Sequence, residues 1–231
     1  MGVIVVLDRI GYAILDRLSK TAFWEWFTKY FLSGTTTRVY GYPKFPMKDF
    51  FKIVDLMVRG RLYAFVCSDY LSVGSIAIRT VDDFIFTHAG MILNDGDRTT
   101  RVMHMRSDGL HLDHMLTLLR EVDYFAVVEI PLNSPESLFV AMQRMNKMWE
   151  NRDVLLYDFE ERLGNDPNKV YCSEFVLNIC GDICVEKPKT QIILGREVFA
   201  PDNILGIGSV IYTNHSDVAK KYLPIIGGEH R

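Results

Sequence analysis

Apolar residues recur at helical spacing near the start of the chain. Leu7, Ile10, Ile14 and Leu18 form one stripe with charges between them, and Phe23, Phe27, Tyr30 and Phe31 form a second. Two amphipathic helices are expected there. The cluster Phe23-Trp24-Glu25-Trp26-Phe27 reads as a core face, with contact to a protein or a membrane surface through residues 1–35 as the alternative. Turn residues then gather in Ser33-Gly34-Thr35-Thr36-Thr37 and Tyr42-Pro43-Lys44-Phe45-Pro46. They divide the chain into an N-terminal helical extension, residues 1–50, and a main domain, residues 51–231, which opens on a short helical pattern from Lys48 to Arg59.

Beyond Leu71 the period changes to two. Residues 75–79 and 84–93 are short β-rich runs, and Asn94-Asp95-Gly96-Asp97 is a hairpin turn that makes residues 99–105 an antiparallel return strand. A helix over residues 110–120 is expected next, then a strand over Tyr124–Ile130 stopped by Pro131. Ser134-Pro135-Glu136 opens a helix that runs to about Trp149, with Ser as cap, Pro in the first turn and an acid at the positive end of the dipole. A further helix carries Phe175, Val176, Ile179 and Cys180, with Cys172 at its N-terminal end and Gly181 closing it, and Ile204 to Tyr212 reads as a strand. The class is α+β with a mainly antiparallel sheet.

Composition narrows the partners. Among 231 residues, 26 Lys and Arg against 29 Asp and Glu give a net charge of −3, which leaves no basic field for a phosphate backbone, so no nucleic acid is expected. The 48% of hydrophobic residues suffices for a full core, yet no uncharged apolar run approaches the roughly 18 residues of a membrane span, so no transmembrane segment is expected. Four cysteines are too few for a disulfide framework in a chain of this length. Reduced thiols and the absence of a readable leader favour the cytoplasm, and a virion-associated protein would look the same.

The chemistry concentrates on few residues. A thiol in the first turn of a helix feels the dipole's positive end, which favours thiolate and makes Cys172 a candidate nucleophile. It needs an imidazole as base and a polar group to orient that imidazole. His88 lies in an apolar strand, and His104 falls beside it if the hairpin pairs as expected. The set His104, His111, Asp113 and His114 has a metal-like look, but as a helix it reads as a solvated face, and Cys180 with Cys184 lacks a second ligand pair for zinc. No metal and no cofactor are expected.

The segments Thr87-His88-Ala89-Gly90-Met91-Ile92-Leu93, Tyr157-Asp158-Phe159, Tyr171-Cys172-Ser173-Glu174-Phe175-Val176 and Ala200-Pro201-Asp202-Asn203-Ile204 together resemble a known family. It is the circularly permuted NlpC-like branch of the papain-fold cysteine peptidases and amidases, the YiiX-like group, over roughly residues 70–212. The resemblance implies a permuted papain-like fold, with the sheet packed on the helix that bears the nucleophile. It implies Cys172 as nucleophile, His88 as base, His104 as its orienting partner, and Tyr157 and Tyr171 at the oxyanion or substrate-positioning site. Permuted members often carry Glu at the place of His104, whereas the lecithin retinol acyltransferase-like branch uses a second His. The expected activity is a thiol hydrolase, an amidase or peptidase acting through a Cys172 acyl-enzyme on a peptide, peptidoglycan-like or acylated small-molecule substrate. A lipid-directed acyltransferase or thioesterase, and a structural or assembly protein that keeps the fold, are the alternatives.

Overall fold

A computed structural model describes residues 47–68, 84–94, 100–158, 163–164, 166–193, 196–223, 225–226 and 229–230. The expected helices of the N-terminal extension, its aromatic cluster, the strand over 75–79 and most of the Asn94 turn lie outside these residues.

A six-stranded sheet organises the rest. Its strands, in spatial order, are β8 (Ser209–Thr213), β5 (Tyr124–Ile130), β1 (Leu62–Ser68), β2 (His88–Leu93), β3 (Arg101–Arg106) and β4 (Gly109–His114), every neighbouring pair antiparallel. Side-chain alternation gives the sheet two different faces. Ala64, Ala89, Met91, Met103 and Ala126 lie in one core with Ala141 and Met145 of α3 (Glu136–Glu150) and Phe175, Val176 and Ile179 of α4 (Cys172–Cys180). Tyr63, Phe65, Ile92, Val102 and Phe125 lie in the other, beneath Phe50 and Ile53 of α1 (Met47–Leu56) and Met115, Leu118 and Leu119 of α2 (Met115–Glu121). The class is α+β, as the periodicities indicate. Among the described residues no helix is long and apolar enough to cross a membrane.

The pairing of β2 with β3, the strand Tyr124–Ile130 and the helix beginning at Cys172 stand where the sequence puts them. Two segments differ. Residues 109–114 form strand β4 rather than the first half of a helix, because Ser107 and Asp108 make a two-residue turn and Gly109, at φ +123°, takes a backbone conformation that other residues rarely adopt. The helix starts only at Met115, where the His114 ring accepts the Leu116 N–H at 3.2 Å. Likewise, Pro201–Gly206 is a 3₁₀ turn and only Ser209–Thr213 is extended. Pro201 pre-sets the first turn, and the Asn203 side chain takes the Ala200 N–H at 2.7 Å. Helix α1 runs across the expected division at residue 50, with Phe50 and Ile53 both packed in the second core.

Candidate functional site

The start of α4 is built by the four residues Tyr171-Cys172-Ser173-Glu174. A helix leaves its first N–H groups without intrahelical partners, and here the side chains answer that need. Glu174 reaches back to the Tyr171 N–H at 3.5 Å and accepts the Gly164 N–H at 2.7 Å. Burial raises its carboxyl above the usual range, with these two donors acting against that rise. The Ser173 hydroxyl donates to the Phe199 carbonyl at 2.5 Å, and the Phe199 N–H donates to the Tyr171 hydroxyl at 3.0 Å. Cys172 is thereby buried at the first helical position of α4, which packs against β2 and β3.

On the sheet, three side chains form a hydrogen-bonded line. His88 Nε2 meets His104 Nδ1 at 2.7 Å, and His104 Nε2 meets Asp113 Oδ2 at 3.0 Å. Both contacts are diagonal across neighbouring strands, since Gly90 is the residue directly opposite His104 on β2 and His111 the one opposite it on β4. Arg106 Nη1 stands 3.5 Å from the same Asp113 oxygen. Desolvation first, then the neighbouring His104 and Arg106, hold His88 well below the ordinary histidine value of 6.5. Desolvation also lowers His104, against the opposing pull of Asp113. The imidazole pair is therefore neutral at neutral pH.

The two parts share one connector. Phe199, which is bonded to both Tyr171 and Ser173, leads into the 3₁₀ turn, and Asp202 of that turn accepts the N–H groups of Ile85 at 3.0 Å and Phe86 at 2.7 Å. Those two residues run directly into His88. The helix start that bears the thiol and the strand start that bears the imidazole are thus tied to the same short segment, residues 199–202. Alternation along β2 and β3 sends His88 and His104 to the face of Val102, whereas Ala89 and Met91 face the core that holds Cys172.

Tyr157 sits on the short strand β6 (Leu156–Tyr157), paired in parallel with β7 (Lys169–Val170) so that it lies beside Val170, two residues before Cys172. The hydroxyl of Tyr171 holds the connector. The metal-like set disperses: His111 turns to Asp108 at 3.0 Å, His114 caps α2, and Asp113 belongs to the histidine line. The Cys180 thiol donates to the Val176 carbonyl at 3.1 Å and that of Cys184 to the Glu186 carbonyl at 3.0 Å, and burial pushes both thiols up. Sequence reasoning missed Asp113 and Asp202 as members of the arrangement. The first was hidden by reading its strand as a helix, although the Asp108-Gly109 pair marks a turn there. The second lay inside a quoted motif but had no readable partner.

No family model matches the chain, and no curated relative does. Among solved structures it is similar to the metalloprotein yiiX from Escherichia coli O157:H7, DUF1105, with a TM-score of 0.52 and 14% identity over 67% of this chain and 96% of that one. The likeness concerns the fold, which is YiiX-like. Among the described residues of this chain, no three His, Cys, Asp or Glu side chains are grouped to hold a metal ion.

Proposed function

We propose that this protein is a thiol hydrolase in which Cys172 is the nucleophile, His88 the base and His104 its partner, acting on an amide or ester carbonyl. The observation that carries the reading is the neutral, hydrogen-bonded His88–His104 pair at the start of β2, tied through residues 199–202 to the helix start that bears the thiol. In the proposed step the Cys172 proton passes to His88 as sulfur attacks the carbonyl, and the imidazolium then protonates the leaving amine or alcohol. Water, deprotonated by His88, cleaves the thioester and restores the thiol. The His88 ring and the Cys172 sulfur start from opposite faces of the sheet, so the proposed step requires them to meet past the N-terminal end of β2. The helix's first N–H groups and the Tyr157 hydroxyl are the proposed oxyanion donors.

The test is alkylation of the intact protein by iodoacetamide near pH 7, with each thiol followed by mass spectrometry. Cys172 is expected to react well ahead of Cys180 and Cys184, and His88→Gln is expected to remove that lead. Cys172 reacting no faster than the two raised thiols would sink the proposal.

A further inference from the structure

We propose that Asp113 is a positioning residue that sets the tautomer of both imidazoles and so presents His88 Nδ1 as the bare, proton-accepting nitrogen. The inference rests on the thiol reading and adds to it a fourth member whose work is directional.

The argument follows the protons. An ionised carboxylate only accepts hydrogen bonds, so the proton in the 3.0 Å contact between His104 Nε2 and Asp113 Oδ2 is on the histidine. A neutral imidazole carries one N–H, which leaves His104 Nδ1 unprotonated. That nitrogen must then accept, so the 2.7 Å contact is donated by His88 Nε2. His88 in turn has its single proton on Nε2, and its Nδ1 is left with a lone pair. Take the carboxylate away and nothing in the line prefers this order: both rings can turn over together, placing a proton on His88 Nδ1 where a thiol proton should be received.

The neighbours keep Asp113 on this task. Arg106 approaches the same oxygen from the adjacent strand, and His111, the residue directly opposite His104, is engaged by Asp108 at 3.0 Å instead of competing for Asp113. Asp113 is partly buried, and Asp113→Asn keeps the side chain's shape, so that replacement removes little packing.

Long-range ¹H–¹⁵N spectra of the full chain, labelled at histidine, read the tautomers directly. The wild type is expected to show His104 and His88 both protonated at Nε2. In Asp113→Asn, whose amide can donate, both rings are expected to turn over to the Nδ1-protonated form, and Asp113→Glu is expected to restore the wild-type pattern. Alongside, Cys172 alkylation at pH 7 should slow about tenfold or more in Asp113→Asn and recover in Asp113→Glu. A wild-type His104 protonated at Nδ1, or tautomers unchanged in Asp113→Asn, would overturn the inference. A Cys172 that lacks any lead in the wild type while the tautomers respond as stated would instead remove the thiol reading and leave the role of Asp113 in the histidine line intact.

Discussion

Gly90 stands directly opposite His104, and the space a Cβ would take at Gly90 is already filled: the His104 Cβ would lie 2.7 Å from it and the Met103 carbonyl oxygen 2.8 Å. The missing side chain on β2 is what lets the His104 ring lean across to His88. Gly90→Ala is therefore expected to push β3 away, break the His88–His104 hydrogen bond and cost about 1–3 kcal/mol of stability. Urea denaturation measures the cost, and the histidine NH spectrum measures the bond. An Ala variant with wild-type stability and an unchanged spectrum would contradict this account.

Acid should unfold the protein from the histidine side. Both imidazoles are lowered in the folded state, so above about pH 6.5 neither state binds the extra proton and their contribution is fully present. As the pH falls below 6.5, the unfolded chain takes up protons that the folded one resists. Stability is then lost progressively toward the depressed folded values. Thermal midpoints measured from pH 8 to pH 5 should drop, and His88→Gln with His104→Gln should flatten that slope.

Asp202 fixes the backbone that leads into His88. An Asn at this position cannot accept both N–H groups and would aim its own donor at one of them. Asp202→Asn should cost about 1–3 kcal/mol. It should also slow Cys172 alkylation while leaving that of Cys180 unchanged. Equal effects on both thiols would point to general loosening instead.

Helix α1 is expected to behave as part of the sheet's packing. Ile53 is fully buried in the second core, so Ile53→Ala should remove about 2–5 kcal/mol in a single cooperative transition. Two separate transitions in the wild type, with the substitution affecting just one, would show that α1 belongs to an independent unit.

Local pattern was informative where one residue type decides one element. Pro131 ends β5, Gly181 closes α4, and the alternation around His88 marks β2 as a strand, so the hairpin and the helix start at Cys172 were legible. His104 could be paired with His88 because the turn between their strands was readable. Asp113 could not, since Leu110-His111-Leu112-Asp113-His114 satisfies a period of two and a helical face about equally well, and only the Gly109 backbone decides between them. Asp202 illustrates a different obstacle. Its partners, Ile85 and Phe86, lie more than 110 positions away and offer backbone groups, which no residue pattern announces.

The turn Ser107-Asp108 has a bearing on chemistry that its size conceals. With two residues in the loop, Arg106 faces Gly109, and Asp113 falls two places beyond the residue opposite His104, on the same side of the sheet. One residue more would reverse the phase of β4, turning Asp113 toward the apolar core and Leu112 toward the imidazole. Loop length here acts as a selector of proton direction: a backbone parameter, remote from any nucleophile, determines which nitrogen of His88 has a lone pair to offer.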